Sequence, residues 1–253
     1  MYNAYNWSDV LKPEIGLFNG FNPELFKFLN GLQKNNSVEW FHKNKERYQK
    51  FLVEPAKAFV VDLAPFLNRL NPAIRTEPKF NETLMRINKD MRFAKGEPYR
   101  NYFLIHFGRF KLDSEFFLYF EAGEAQMGLF VNQSRGEDLY FRQNFFKHKN
   151  EILNLFEKYN LNNKFSLHYF KKMETVKAVS KFDAKKKFDL FEKHEMILLQ
   201  KTKMPSSKVL YSSKIIVEMI EMITMLYPLY CFAISPQPLK ELQWFEDNFG
   251  QIV

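Results

Sequence analysis

Four polar side chains occupy every second position of one short stretch, residues 85–93. They are Arg86, Asn88, Asp90 and Arg92. Because successive side chains of an extended chain point to opposite faces, these four are predicted to share one face. The opposite face is apolar and holds Met85, Ile87, Met91 and Phe93. Residues two apart on one face lie about 7 Å apart, which allows Asp90 to pair with Arg92.

The chain is predicted to turn after this stretch, over residues 94–98, and to run back along it. This return would place Tyr99, Arg100 and Tyr102 beside the charged face. Arginine presents a planar fork of donors that matches a phosphate or a carboxylate. We therefore expect a site for a small anionic ligand. The ligand-binding candidates are Arg86, Arg92, Lys95 and Arg100.

Two residues of this site are candidates for catalysis, Asp90 and Tyr99. Asp90 could orient an arginine, or act as a base if its pKa were raised. Tyr99 could donate a hydrogen bond. No reaction type follows from these residues, so the sequence leaves open whether the protein is an enzyme.

A second interpretation starts from the distribution of charge. The chain carries a formal net charge of +8, and residues 164–214 contain thirteen lysines against five acidic residues. Such a segment could bind nucleic acid or another polyanion, with Tyr169 and Phe170 stacking on bases. It contains no arginine, however, and its lysines are scattered apart from Lys185, Lys186 and Lys187. The alternative is a solvated, lysine-rich face that keeps the protein soluble.

A third interpretation assigns no ligand to the alternating stretch. Arg86, Asp90 and Arg92 would then form an ion network that fixes the turn and binds nothing. The sequence does not separate this interpretation from the two binding hypotheses.

Several kinds of catalytic and metal site have no counterpart in the sequence. There is no glycine-rich phosphate loop and no Gly-x-Ser-x-Gly motif, and the histidines lack metal-ligand spacing. We therefore expect neither a cofactor nor a metal. His106 lies in an apolar run and is predicted to be a hydrogen-bonded core residue, and Cys231 a buried, inert thiol.

Composition excludes several classes of protein. Of 253 residues, 46% are hydrophobic and 17% aromatic, which excludes a disordered chain, and a single cysteine excludes a disulfide scaffold. The first residues resemble no secretory signal peptide. Residues 215–234 are long enough to span a membrane, but Glu218 and Glu221 lie near their middle, so we predict a buried helix. A cytoplasmic protein without membrane contact is expected.

Helical signals dominate the first 70 residues. Asn22, followed by a proline, begins the first predicted helix, and Asn36 with Glu39 has the spacing of a capping box for a second. The second pattern continues to about residue 70, and Pro55 and Pro65 predict that it is segmented.

The middle of the chain changes to strand signals. Residues 102–107, 115–121 and 125–131 predict an antiparallel meander, and residues 196–199 another strand. The later helices are predicted over residues 134–159, from a capping box at Ser134 and Glu137, over 207–225, and after Pro236 and Pro238. The expected fold is α+β, with an N-terminal extension at 1–20 and a single domain at 21–253. The oligomeric state does not follow from these patterns.

The alternating stretch also resembles a motif of a bacterial family called domain of unknown function 2461. The family pattern is Arg-x-x-Arg-Asp-x-Arg-Phe, followed after a short gap by Lys and Pro-Tyr. The residues that carry the resemblance are Arg86, Lys89, Asp90, Arg92 and Phe93, then Pro98, Tyr99 and Arg100. Further matches are Phe28, Leu29, Leu32, Asn35, Asn36, Trp40, Phe41, Tyr48 and Pro55 upstream, and Tyr119, Gly128, Leu129 and Arg142 downstream.

The chain departs from this pattern at two points. Lys89 replaces the second arginine, and no lysine precedes Pro-Tyr at the family's position, where Lys95 is nearest and Glu97 is close. The resemblance implies an α+β cytoplasmic bacterial protein of uncharacterised activity, and it implies no substrate.

Overall fold

The computed structural model describes residues 17–92, 95–171 and 174–250. Phe93, Ala94 and most of the predicted N-terminal extension lie outside these residues. Six strands form one antiparallel sheet in the order β1-β2-β3-β6-β4-β5. The strands are β1 (Phe103–Phe107), β2 (Glu115–Glu121), β3 (Glu124–Asn132), β4 (Phe165–Lys171), β5 (Glu174–Val179) and β6 (Met196–Lys201). The α+β class is thus confirmed, as is the β1-β2-β3 meander.

The helices are grouped before, between and after the strands. The first group is α1 (Glu24–Lys34), α2 (Val38–Lys43), α3 (Lys45–Tyr48), a π-helical segment (Gln49–Val53) and α4 (Glu54–Leu70). Next come α5 (Phe141–Lys147), α6 (Lys149–Lys158), α7 (Ala184–Lys187) and α8 (Leu190–Lys193). The chain continues with α9 (Ser207–Leu210), α10 (Lys214–Ile234) and α11 (Pro238–Phe249). The chain is segmented before residue 70 as predicted, with Pro55 in the first turn of α4, but Pro65 lies inside α4 and does not interrupt it.

The core lies between the helices and one face of the sheet, the inner face. Alternate residues of β3, from Ala125 to Val131, are buried there, and the ring of Phe116 packs 4.7 Å from that of Tyr230 on α10. Gly128 lies on the other face, where a Cβ would come within 1.8 Å of the Leu199 carbonyl oxygen. Close approach of β3 and β6 therefore requires glycine at this position.

The helix α10 is the apolar segment that the sequence singled out. Within the described residues it is the one helix long and apolar enough to cross a membrane, and 72% of its most apolar window is buried inside the protein. It extends beyond the predicted end at residue 225, through Pro228, to Ile234. Its burial against the sheet is consistent with a soluble protein.

Two capping predictions were wrong. Ser134 caps no helix, because its hydroxyl donates to Asn132 Oδ1 at 2.7 Å and the chain stays irregular until α5 begins at Phe141. The helix predicted over 134–159 is also interrupted at His148, between α5 and α6. At α2 the cap is Ser37, whose hydroxyl accepts from Trp40 N, while Asn36 has another role described below.

A buried ion pair connects three parts of the chain. The guanidinium of Arg109 donates to both carboxylate oxygens of Asp113, at 2.8 and 2.9 Å, and Asp113 is fully buried. The same guanidinium donates to the Ile234 carbonyl at the end of α10 and to the Asp138 carbonyl before α5. The β1-β2 connection, the end of α10 and the start of α5 are therefore held together through Arg109.

Replacing Arg109 should destabilise the fold strongly. Arg109→Met leaves the buried Asp113 carboxylate without its partner, so the free energy of unfolding should fall by about 3–5 kcal/mol. Thermal melting should then fall by roughly 6–20 °C for a chain of this size. Lys193→Met is the control, because it removes an exposed pair with Asp189 and should leave the melting temperature almost unchanged. Equal losses in the two variants would contradict the account.

His168 lies on the face of the sheet opposite the helices. It is buried, and its Nε2 lies 2.9 Å from the Ser166 hydroxyl. Burial, together with Lys177, lowers the pKa of His168 from 6.5 to about 4. The folded protein therefore keeps this imidazole neutral at pH values at which the unfolded chain binds a proton.

The stability of the protein should consequently depend on pH through His168. Between pH of about 4 and 6.5 the unfolded state binds one more proton at this residue, so stability rises with pH across that window. Relative to His168→Gln, the wild-type free energy of unfolding should increase from the lower to the higher pH and level off above it. Urea titrations at one protein concentration measure this difference, and a difference that stays constant with pH would refute it.

Candidate functional site

The residues of the alternating stretch form one side of a narrow, two-stranded excursion at the edge of the sheet. Lys89 N donates to the Pro98 carbonyl at 2.9 Å, and Arg100 N to the Ile87 carbonyl at 2.7 Å. Asn88 and Tyr99 face each other as an isolated antiparallel bridge. The predicted return of the chain is confirmed, although the pairing is too short to make regular strands.

Asn36 fixes the returning arm of this excursion to the helical layer. Its side-chain Nδ2 donates to the Tyr99 carbonyl at 2.9 Å, and its Oδ1 accepts from Tyr99 N at 3.1 Å. One amide side chain thus satisfies both backbone groups of Tyr99, as a neighbouring strand would. Nδ2 also lies 3.0 Å from Glu97 Oε2. The position of Tyr99 is set by the loop between α1 and α2.

Asp90 and Arg92 form the predicted pair, and it lies at the surface. Arg92 Nε and Nη2 donate to the two Asp90 carboxylate oxygens at 2.9 and 2.7 Å. The side chains are 48% and 81% exposed, respectively. Hydrogen bonds from Arg92 lower the pKa of Asp90. The raised pKa that a general base would need is therefore not observed at Asp90.

Arg100 and Lys95 are also not among the residues that line the cavity described in the next paragraph. Arg100 Nη1 donates to the carbonyls of Arg86 and Asn88, at 3.0 and 2.8 Å, and so holds the two arms together. Lys95 is exposed at the turn. Of the six candidate residues, the structure brings Arg86 and Tyr99 to one cavity.

This cavity has a volume of about 310 Å³ and lies between the first helices and the excursion. The helices contribute residues from α2, α3 and the start of the π-helical segment, and Phe80 contributes from the turn before the excursion. Its lining residues are Phe41, His42, Lys45, Tyr48, Gln49, Phe80, Arg86, Asn88 and Tyr99. The lining thus includes three basic side chains, Arg86, Lys45 and His42, and no acidic one.

Aromatic rings make up the cavity walls. The rings of Phe41 and Tyr99 stack at 4.4 Å with an interplanar angle of 25°, and Tyr48 lies 5.4 Å from Phe41. The guanidinium of Arg86 sits 5.4 Å from the centre of the Phe80 ring. A cation held against an aromatic face keeps its charge while losing freedom of movement. Arg86 is thus positioned before any ligand arrives.

The polar groups of the cavity are available to a ligand. Among the described residues, Arg86, Lys45 and His42 form no ion pair with a carboxylate, and the Tyr48 and Tyr99 hydroxyls make no hydrogen bond. Burial raises the pKa of both tyrosines, and nearby Arg86 opposes this rise at Tyr48. Both phenols therefore remain protonated hydrogen-bond donors at neutral pH.

Six lining residues were not part of the site predicted from the sequence: Phe41, His42, Lys45, Tyr48, Gln49 and Phe80. A partial signal exists, because positions 42, 45 and 49 have the spacing of one helix face. The structure provides a second signal, the π-helical segment that begins at Gln49, because such segments are frequent at functional sites. Within the described residues, no group of three His, Cys, Asp or Glu side chains could hold a metal ion.

Comparison with known families places this cavity in a wider context. Residues 24–232 match the family model described as conserved hypothetical protein, DUF2461. The chain belongs to this family. The matched range contains every residue that lines the cavity. Searches of curated proteins and of solved structures gave no significant match.

Removing the amide of Asn36 should loosen the excursion. In Asn36→Ala the backbone N–H and carbonyl of the buried Tyr99 both lose their hydrogen bonds to the Asn36 amide. The free energy of unfolding should therefore fall by about 1–3 kcal/mol. Asn35→Ala is a matched control, because the neighbouring amide makes one exposed bond to the Gly31 carbonyl. Urea denaturation of both variants measures the difference. A loss in Asn36→Ala no larger than in the control would show that Tyr99 does not depend on Asn36.

Proposed function

We propose that the cavity binds a small molecule that carries a phosphate or carboxylate group. The proposal rests on the composition of the cavity lining, which includes Arg86, Lys45 and His42 but no acidic residue. Among the described residues, none of these three side chains forms an ion pair with a carboxylate. Unpaired basic groups that converge on a partly enclosed space favour a negatively charged ligand.

We assign each lining group a distinct part in binding. Arg86 supplies a fork of donors that can engage two oxygens of one anion. Lys45 adds a compact charge, and the hydroxyls of Tyr48 and Tyr99 and the amide of Asn88 add neutral donors. The rings of Phe41, Tyr48 and Phe80 form the apolar part of the lining. At about 310 Å³, the space fits a small molecule.

The surface pair Asp90–Arg92 is not part of this proposal, although both residues were candidates. It lies on the outside of the excursion, and its charges compensate each other. Lys95 and Arg100 are likewise assigned no contact with the ligand. Arg100 acts as a positioning residue through the carbonyl of Arg86.

The second candidate function, polyanion binding by residues 164–214, receives less support. Several of these lysines pair with acidic residues, as in Lys185–Glu157 at 2.5 Å and Lys193–Asp189 at 2.5 Å. The Tyr169 ring stacks on His194 at 3.9 Å and is thereby occupied. These contacts favour a solvated lysine-rich face.

Anion binding should depend on Arg86 and not on Arg92. We expect phenyl phosphate or benzoate to bind saturably, and Arg86→Ala to weaken the binding of the better probe by about ten- to a hundredfold, as for a lost charged hydrogen bond. Arg92→Ala, from the same stretch, is the matched control and should bind as the wild type does. Isothermal titration calorimetry at fixed ionic strength measures both.

Three results would overturn the proposal. They are the absence of saturable binding by either probe, equal weakening by Arg86→Ala and Arg92→Ala, and binding that persists in Arg86→Ala. Tight binding of single-stranded nucleic acid that falls steeply with salt would support the lysine-rich segment instead.

A further inference from the structure

The lining of the cavity divides into a buried part and an exposed part. The buried part consists of three aromatic residues, Phe41, Tyr48 and Tyr99, and we call it the floor. The remaining polar lining residues are all exposed, and we call them the rim: His42, Lys45, Gln49, Arg86 and Asn88. A ligand that enters the cavity therefore passes the charged groups first and meets neutral groups at the floor.

The floor holds two hydroxyl groups that have no partner. Tyr48 and Tyr99 are 5% and 4% exposed, and among the described residues neither hydroxyl makes a hydrogen bond. Neither hydroxyl is sealed from solvent, because in the same part of the chain the enclosed side-chain atoms without a partner are Arg75 Nη2 and Tyr230 OH. Both tyrosines line the cavity, so a ligand in the cavity can reach their hydroxyls. Buried hydroxyls without a partner favour a ligand that accepts hydrogen bonds.

The two floor hydroxyls share their surroundings with the arginine of the rim. Both tyrosine rings pack on Phe41, at centroid distances of 5.4 Å for Tyr48 and 4.4 Å for Tyr99. The charge of Arg86 acts on Tyr48, where it opposes the rise in the phenol pKa that burial causes. The floor hydroxyls and the Arg86 guanidinium therefore border the same space.

These donors approach the cavity from three sides. Lys45 comes from the exposed side of α3, Arg86 comes from the first arm of the excursion, and the hydroxyls of Tyr48 and Tyr99 come from the floor. A carboxylate has two oxygens in one plane, whereas the three terminal oxygens of a phosphate group point in different directions. A tetrahedral group is therefore better suited than a planar one to accept hydrogen bonds from all three sides at once.

The charge of the rim favours the same class of ligand. Arg86 and Lys45 carry two positive charges, and the lining contains no acidic residue. A carboxylate carries a single negative charge, whereas a phosphate monoester carries a charge of about −1.5 to −2 at pH 7. The phosphate monoester therefore compensates both cations, and a carboxylate leaves one of them uncompensated.

We infer that the cavity binds a phosphate monoester as its dianion. The inference rests on the proposed function, because it names which of the two classes of anion the cavity takes. The hydroxyls of Tyr48 and Tyr99 each donate one hydrogen bond to the phosphate, and the fork of Arg86 donates two. Lys45 compensates the second negative charge from the rim.

Three probes that share a phenyl ring separate the effect of shape from that of charge. At about pH 8 phenyl phosphate is tetrahedral and dianionic, phenyl sulfate is tetrahedral with a single charge, and benzoate is planar with a single charge. Isothermal titration calorimetry in a buffer free of phosphate and sulfate measures the three dissociation constants. Phenyl phosphate should bind about tenfold or more tightly than either of the other probes, as for one additional charged hydrogen bond.

The preference for phenyl phosphate should disappear in acid. The second proton of a phosphate monoester dissociates at about pH 6, so phenyl phosphate is a monoanion at about pH 5. The ratio of its affinity to that of phenyl sulfate should then approach unity. A change in the charge of His42 affects both probes alike, and the lysine, arginine and tyrosines of the lining keep their protonation across this range.

Tyr48→Phe and Tyr99→Phe test the contribution of the floor. Each variant removes one unpartnered hydroxyl and keeps the ring, so the fold should be retained and the affinity for phenyl phosphate should fall about three- to tenfold. Tyr140→Phe is the matched control, because the Tyr140 hydroxyl donates to Asp138 at the surface and lies outside the cavity lining. This control should bind phenyl phosphate as the wild type does, and circular dichroism checks the fold of each variant.

The outcomes distinguish this inference from the proposed function. If none of the three probes binds saturably, both fail. If benzoate or phenyl sulfate binds at least as tightly as phenyl phosphate at about pH 8, the cavity remains an anion site but the inference of a dianion is overturned. An unchanged affinity in both Tyr48→Phe and Tyr99→Phe would overturn the placement of the phosphate at the floor.

Discussion

The cavity depends on one amide side chain. Asn36 pairs with both backbone groups of Tyr99 and thereby joins the helical wall of the cavity to its extended wall. Tyr99 then stacks on Phe41, and Arg100 ties the second arm back through the carbonyls of Arg86 and Asn88. Each of these hydrogen bonds involves a backbone group, so together they fix the path of the chain. This path determines where the Arg86 side chain begins.

Charge is distributed differently at the cavity and at the other ionic features. Arg109 and Asp113 compensate each other in the interior, and Asp90 and Arg92 do so at the surface. Neither pair carries net charge toward a ligand. The basic side chains of the cavity have no such partner among the described residues, and this imbalance is the basis on which we propose a binding site there.

Sequence patterns predicted the elements whose apolar residues recur with a clear period. They failed where a side chain that could cap a helix forms a different hydrogen bond. The first helix, the meander and the strand at 196–199 follow from apolar spacing. The helix predicted from Ser134 fails because that hydroxyl bonds to Asn132. Strands β4 and β5 were missed because they lie in the lysine-rich segment, whose overall pattern is mixed, although β4 itself alternates from Phe165 to Tyr169. At the site, Arg86 and Tyr99 were named. Local spacing places His42 and Lys45 on one helix face, but only tertiary packing brings that face and Phe80 to Arg86.

Binding of an anion in the cavity is tested most directly by mapping where the anion contacts the protein. Phenyl phosphate is titrated into isotopically labelled protein, and amide and side-chain NMR shifts are followed to saturation. If the cavity binds the anion, a single set of saturating shifts should appear at His42, Lys45, Tyr48, Arg86 and Tyr99. Shifts confined to Arg92 and Lys95, or spread over the lysines of residues 164–214, would contradict it.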